Sequence, residues 1–261
     1  MVWPFGSKPA DAPPELVTHR NDGADTAVVF VHGFSGHAEA TWGDFPRFLA
    51  DDPRLREWDV FSLGYTTNLR LDVPGIWSAA PDLDRLAVLL STAAGYGELG
   101  GRRVLAFVAH SMGGLVVQRA LVRDPKLAPR VSHVVLLGTP SGGLAKARLG
   151  RWFKRQLRDM AAGGAFVKRL RRDWRESFAP ADGWRAPFSF LAVAGDRDEF
   201  VPSSSSIEPF PDDQQAVVYG DHLEIVKPRS ADSLSVSVVC DFLAGDGAPS
   251  GPWSSARVAL E

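Results

Sequence analysis

Short, mostly apolar runs alternate with helical patterns along most of the chain. The strand-like runs cover residues 27–31, 59–63, 104–109, 133–137, 188–194 and 215–219. Apolar positions with helical spacing occupy roughly residues 41–51, 82–94, 114–122 and 231–243. Because strands that are buried on both faces read as continuous apolar runs, this alternation predicts a mostly parallel central sheet with helices on both faces.

Three segments depart from this rhythm. Residues 1–14 carry four prolines and no periodicity, so we interpret them as a flexible N-terminal arm. Residues 245–261 are rich in Gly, Ala, Ser and Pro and are predicted to be a disordered tail. The α/β domain should therefore span residues 15–244. Within it, residues 141–187 contain no strand pattern and are longer than a simple crossover needs, which predicts a helical cap insertion.

The predicted cap has two apolar helical faces and an excess of positive charge. One face holds Leu149, Trp152, Phe153, Leu157 and Met160, and the other holds Phe166, Leu170, Trp174 and Phe178. Residues 141–176 contain eleven Lys and Arg against three Asp and Glu, although the whole chain has a net charge of −2. Two interpretations stay open: a surface for peripheral contact with anionic lipid headgroups, or helices packed on the core with their basic side chains in solvent.

The overall composition excludes several classes of protein. The near-neutral charge gives no general attraction to nucleic acid, and no nucleotide-binding glycine motif is present. The single cysteine, Cys240, forms no internal disulfide, and His19, His37 and His133 lack paired metal-ligand spacing. We therefore expect no metal and no cofactor. Neither a signal peptide nor a membrane span is indicated, so we expect a cytoplasmic protein, of undetermined oligomeric state.

The candidate chemistry centres on Ser111. A β-rich run ends at this residue, two glycines follow, and a helical pattern begins at once, which predicts a strand, a sharp turn and a helix with the hydroxyl at the apex. Ala109, Gly113 and Gly114 supply the small neighbours that such a nucleophile elbow needs. The alternative is a serine that caps an ordinary helix. His110, beside it, is expected to support the serine rather than to act.

A serine hydroxyl needs a base and an acid that orients the base, and the chain offers both after later strands. His222 follows the run 215–219 and is the predicted base, although a solvated loop histidine is the alternative. Asp198 follows the run 188–194 and is the predicted acid. Three other carboxylates are weighed against it: Asp196 as a turn former, Glu199 as a surface charge, and Asp221 as a neighbour too close to His222 in sequence to orient it. The order serine, acid, histidine is that of α/β-hydrolases.

An acyl-transfer site also needs N–H donors for the oxyanion. The backbone N–H of Met112 directly follows the predicted nucleophile. The second donor should come from the loop after residues 27–31, where Gly33 allows a tight turn and the N–H of Phe34 is the candidate. An ordinary glycine-rich turn is the alternative.

Together these motifs resemble the α/β-hydrolase superfamily, and within it the lipase-like serine esterases related to GPI-inositol deacylases and their bacterial relatives. The matching segments are 31–37 with Thr41 and Trp42, 109–117, 137–140, 195–198 with Val201 and Pro202, 221–222 and 225–228. Two positions depart from the family pattern: Ala109 replaces a commoner glycine, and Ser141 replaces a histidine that is outside the triad.

The resemblance implies an α/β-hydrolase fold and hydrolysis of carboxylic esters through an acyl-enzyme on Ser111, without a cofactor. A small-molecule or lipid ester would be the substrate. Two alternatives stay open, since the same residues serve an acyltransferase, and a member of this fold can also be a catalytically silent binding module.

Overall fold

The computed structural model describes residues 16–33, 38–65, 79–143, 156–179 and 183–245. In these ranges seven strands form one sheet: β1 (Leu16–Arg20), β2 (Thr26–Val31), β3 (Trp58–Leu63), β4 (Val104–His110), β5 (Val131–Leu137), β6 (Ser189–Gly195) and β7 (Gln215–Val218). Their order across the sheet is β1-β3-β2-β4-β5-β6-β7. Only the β1–β3 pairing is antiparallel among these strands. The predicted mostly parallel sheet is therefore confirmed.

Helices cover both faces of the sheet. The described helices are α1 (Phe45–Asp51), α2 (Ala79–Gly95), α3 (Gly97–Gly100), α4 (Met112–Arg123), α5 (Gln156–Phe178), α6 (Ser203–Ser206) and α7 (Leu234–Ala244). Alternate residues of the central strands enter different cores, as Leu105 and Phe107 do on one side and Ala106 and Val108 on the other. The first core also contains residues of α2, α4 and α5, and the second contains residues of α1 and α7.

The apolar runs predicted the six parallel strands with ends accurate to within two residues, and β1 was missed. The reason is its place at the edge of the sheet. Its residues are half-buried or exposed and include Thr18, His19 and Arg20, so the segment carries no continuous apolar run.

The described part of the predicted cap is the single long helix α5. From Phe166 onward its apolar face is buried, and Trp174 lies 4.9 Å from Phe178 and 5.9 Å from Phe188 between ring centroids. The helix packs beside α2 and α4, and Arg119 of α4 joins Asp84 and Asp173 at 2.6 and 3.4 Å. This part of the insertion is therefore packed on the core.

Some predictions lie outside the described residues. These are the N-terminal arm, nearly all of the C-terminal tail, Leu149, Trp152 and Phe153, and the side chains of Leu157 and Met160. No helix in the described ranges combines the length and the apolar composition that a membrane crossing requires.

A buried ion pair lies where the amino-terminal ends of the strands meet. Arg102 and Asp59 approach to 2.7 Å with side chains 9% and 0% exposed. Asp59 also accepts hydrogen bonds from the backbone N–H groups of Asp22 and Ala24, at 2.7 and 3.0 Å. Because a buried charge is costly without partners, these contacts hold the turn between β1 and β2 in place. The carboxyl ends of the strands, at the opposite edge, are left for the loops that carry the site.

Candidate active site

Ser111 stands at the tip of the turn between β4 and α4. Its backbone has φ 54° and ψ −128°, and no other non-glycine residue in the described ranges has a positive φ. Such a conformation costs of order 1–3 kcal/mol in a non-glycine residue and persists only where the surroundings enforce it. The side chain makes no capping hydrogen bond to α4, so the helix-cap alternative does not describe this serine.

Glycines make this turn possible by letting main chains nearly touch. A β-carbon on Gly113 would overlap the carbonyl oxygens of Val31 and His32, and one on Gly114 would overlap the side chain of Thr139. Gly113 and Gly114 are therefore required by the close packing of α4 against the segments that follow β2 and β5.

The structure brings Ser111, His222 and Asp198 into one hydrogen-bonded chain. His222 Nε2 lies 3.1 Å from Ser111 Oγ, and His222 Nδ1 lies 2.7 Å from Asp198 Oδ2. The Asp198 side chain is fully buried, and that of His222 is 15% exposed. In this arrangement Asp198 holds the proton on Nδ1, which leaves Nε2 free to accept a proton from the serine.

Asp198 is held by its own loop. Its Oδ1 accepts the backbone N–H of Phe200 at 3.0 Å and of Val201 at 2.7 Å, which turns Oδ2 towards His222. These bonds explain why a carboxylate three residues before Val201 occupies this place.

The other candidate carboxylates perform different tasks. Asp196 accepts the backbone N–H of Gly220 at 2.7 Å, and so connects the loops after β6 and β7. Asp221 accepts the N–H groups of Leu223 and Glu224, and these bonds lower the pKa of its carboxyl group. Glu199 is exposed. None of the three is hydrogen-bonded to the His222 ring.

One of the two predicted oxyanion donors can be located. Met112 begins α4, where backbone N–H groups have no acceptor within the helix. Its nitrogen borders Gly33, at 3.5 Å from the position of an ideal β-carbon on that glycine. The loop after β2 therefore lies beside the Met112 N–H. Phe34 lies outside the described residues.

Comparison with known families decides the classification. Residues 28–256 match the model of the alpha/beta hydrolase family. The chain belongs to this family. Because the match covers most of the chain, it includes Ser111, Asp198 and His222.

Individual relatives of this α/β hydrolase are distant. The mouse (Mus musculus) protein SERAC1 is 24% identical over 265 residues, and the match covers 84% of this chain and 39% of the relative. The chain thus spans well under half of the length of that curated relative.

Three solved structures are similar in fold. A lipase of Bacillus licheniformis, BlEst2 in its propeptide form, is 19% identical with a TM-score of 0.61, covering 93% of this chain and 55% of its own. A structure from a study of carboxylesterases of Nitrososphaera gargenis is 15% identical with a TM-score of 0.59, covering 92% and 98%. Phospholipase PlaB of Legionella pneumophila is 17% identical with a TM-score of 0.58, covering 85% and 59%.

Gly138 is a site residue of this hydrolase that sequence reasoning missed. It follows β5 with φ 55°, and a β-carbon there would stand 3.1 Å from His222 Nδ1 and 3.2 Å from Asp198 Oδ2. Any side chain would press on the hydrogen bond between these two residues. The available signal was a glycine placed directly after a buried strand.

Two further histidines line the site. His32 is fully buried and stacks on Tyr65 at 4.2 Å, and its Nε2 accepts the backbone N–H of Tyr65 at 3.2 Å. His110 is buried between Trp42 and His222, with ring centroids 6.2 and 4.6 Å away. Burial, and after it the nearby His222, lower the pKa of His110 to about 3. His110 is therefore neutral near pH 7.

Proposed function

We propose that this α/β hydrolase cleaves carboxylic esters through an acyl-enzyme, with Ser111 as nucleophile, His222 as base and Asp198 as the acid that orients it. The observation that carries the proposal is the continuous hydrogen-bonded chain from Asp198 Oδ2 through both nitrogens of His222 to Ser111 Oγ. A hydroxyl attached to a strained turn and facing an imidazole that a carboxylate orients is the arrangement that serine nucleophiles use.

The reaction begins when Ser111 Oγ attacks the ester carbonyl carbon and His222 Nε2 takes the hydroxyl proton. The buried carboxylate of Asp198 stabilises the imidazolium that forms. The carbonyl oxygen becomes an oxyanion, which the N–H of Met112 and, as the second proposed donor, the N–H of Phe34 stabilise. His222 then gives its proton to the departing alcohol, and the acyl group is left on Ser111.

Water completes the cycle by the same steps in reverse. His222 removes a proton from water, the resulting hydroxide attacks the acyl carbon, and the proton returns to Ser111 as the carboxylic acid leaves. An alcohol or amine in place of this water would make the same residues an acyltransferase. Adding a competing alcohol during turnover and measuring the ester formed separates the two reactions.

Small-molecule and lipid esters both fit the proposed chemistry. The described part of the cap exposes Lys168, Arg169, Arg172 and Arg175, whereas its apolar side chains from Phe166 onward are buried. This surface supports electrostatic attraction to anionic headgroups without insertion of those apolar residues. Sedimentation with anionic and neutral vesicles at low salt tests it, and equal binding to both would contradict it.

The decisive experiment treats the protein with a fluorophosphonate probe and finds the labelled residue by mass spectrometry. We expect labelling at Ser111 alone, together with hydrolysis of short p-nitrophenyl esters that EDTA does not inhibit. Ser111→Ala should abolish both. Ser141→Ala is the matched control, because Ser141 is another buried serine, whose hydroxyl oxygen accepts the side-chain N–H of Gln118 at 3.0 Å.

If the wild-type protein is neither labelled nor active, the enzymatic proposal fails and the silent binding module takes its place. If Ser111→Ala keeps full activity, the protein is an enzyme but the assigned nucleophile is wrong.

A further inference from the structure

Two histidine rings lie against one another in the site, and the proposed function uses one of them. The ring centroids of His110 and His222 are 4.6 Å apart, and the planes are tilted by 43°. His110 is the last residue of β4, directly before Ser111, and is 4% exposed. Burying a polar ring this deeply is costly unless its nitrogens make hydrogen bonds.

The hydrogen bond that His110 makes is to the main chain of His222. Its Nε2 lies 2.9 Å from the carbonyl oxygen of His222. Because a carbonyl oxygen only accepts, Nε2 of His110 carries the proton and donates it. The neutral state of this buried ring keeps the donor in one tautomer near pH 7.

This bond restrains the residue on which the proton transfer depends. The backbone of His222 is held from its inner side by His110, and the following turn is held by Asp221, which accepts the N–H of Leu223 at 2.8 Å. Once the carbonyl is fixed, only two side-chain torsions decide where Nε2 of His222 lies relative to Ser111. Small displacements matter here, because an error of about 1 Å in such a site can cost roughly 100-fold in rate.

We propose that His110 is a positioning residue of the ester hydrolysis: it holds the backbone carbonyl of His222 and so keeps that imidazole between Ser111 and Asp198. The inference rests on the proposed function. His110 acts through His222 and exchanges no proton with the substrate.

The first test compares steady-state kinetics of His110→Phe and His110→Gln. Phenylalanine fills the ring space beside Trp42 and removes the donor, so kcat should fall by about 10- to 100-fold while KM stays unchanged. Glutamine carries an amide N–H at a similar reach and should recover most of kcat. His133→Phe is the control, because His133 is another buried histidine that lies between Trp58 and Phe242, at the opposite end of the strands.

A second readout does not depend on turnover. The Nδ1 proton of His222, bonded to Asp198, should give a far-downfield proton NMR signal in the wild-type protein. This signal should broaden or vanish in His110→Phe and persist in His110→Gln and His133→Phe. A wild-type protein that shows the signal without hydrolysing esters would defeat the proposed function, whereas loss of the signal in His110→Phe would still show that His110 holds the His222 imidazole against Asp198.

If His110→Phe does not fold, the pair His110→Gln and His110→Asn decides the question. These side chains have the same amide group, but asparagine is one methylene shorter and falls short of the His222 carbonyl, so it should lose kcat and the NMR signal. The positioning role is overturned if His110→Phe, or His110→Asn where His110→Phe does not fold, retains the wild-type kcat and NMR signal. It is equally overturned if kcat and the signal are lost in His110→Gln as fully as in that variant.

Discussion

Gly33 lies so close to Ser111 that a β-carbon on the glycine would stand 2.9 Å from the β-carbon of the serine. The next nearest atoms, at 3.1 and 3.5 Å, belong to the main chain: the carbonyl oxygen of His110 and the nitrogen of Met112. The loop after β2 is therefore in contact with the turn that carries the serine.

Gly33→Ala should displace the serine turn from the base. We expect kcat to fall by about 100-fold, because the added methyl meets the rigid turn and moves Ser111 relative to His222. The rate of fluorophosphonate labelling should fall in parallel. Gly95→Ala is the control, since nothing lies within 4 Å of a β-carbon there, and its activity should remain that of the wild type. Full activity in Gly33→Ala would show that the turn tolerates the contact.

Ser111→Gly should relieve backbone strain while removing the nucleophile. A β-carbon at φ 54° and ψ −128° is costly, and glycine adopts positive φ freely. We expect the free energy of unfolding to be about 1–2 kcal/mol higher in Ser111→Gly than in Ser111→Ala. Urea denaturation of the two inactive variants measures this difference, and equal stabilities would mean that the turn is not strained.

Gly114→Ala and Gly113→Ala should both destabilise the protein by about 1–3 kcal/mol or more, because each overfills a tight contact. Their responses to Thr139→Ala should differ. The contact at Gly114 is with the Thr139 side chain. Truncating that residue to alanine removes the atoms at 2.0 and 2.7 Å and leaves its β-carbon at 2.9 Å, so it should restore part of the stability. The contact at Gly113 is with the backbone of β2, which no truncation relieves. The same recovery in both double variants, measured by urea denaturation, would refute this account.

Thr139→Ala is suitable as the second substitution because removing the Thr139 hydroxyl breaks no hydrogen bond among the described residues. Its hydroxyl is buried and has no hydrogen-bond partner among the described residues. Thr139→Ala alone should therefore change the free energy of unfolding less than either glycine substitution does.

Because of the lowered pKa of His110, the free energy of unfolding should decrease as the pH falls. Its pKa is about 3 in the folded protein and about 6.5 in an unfolded chain, so between these values the unfolded chain binds a proton that the folded one does not. The contribution of the neutral His110 to the free energy of unfolding is fully present above pH 6.5. Below pH 6.5 this contribution declines by up to about 1.4 kcal/mol per pH unit.

His110→Phe removes this titration, so its stability should fall less steeply between pH 7 and pH 5 in urea denaturation. His19, whose pKa burial also lowers, is present in both proteins and cancels in the comparison. Parallel slopes for the two proteins would contradict the prediction.

The parts of the site that depend on neighbouring residues in the chain were predictable from sequence. The turn at Ser111 needs an apolar run, small residues and a helical pattern in one short segment, and the structure has that geometry. The proximity of Asp198 and His222 followed from a different rule, namely that loops after parallel strands meet at one edge of the sheet.

What escaped prediction depends on which strands are neighbours. Gly138 lies beneath His222 and Asp198 because β5 is next to β6, and β7 follows on its far side. The bond from His110 to the His222 carbonyl joins residues 112 positions apart. Likewise, the helical spacing of Phe166 and Trp174 showed that one face of α5 is apolar. It could not show that this face packs with Phe188 and Phe190 of the same core.

The strand order also has a consequence for synthesis. Ser111 is attached to a central strand, whereas Asp198 and His222 follow β6 and β7, which form the far edge of the sheet and are made last. A nascent chain that has folded only its first half contains the serine turn but neither the imidazole nor the carboxylate. On the proposed mechanism, partly made protein is inert towards cellular esters, and reactivity appears only when the final strands join the sheet.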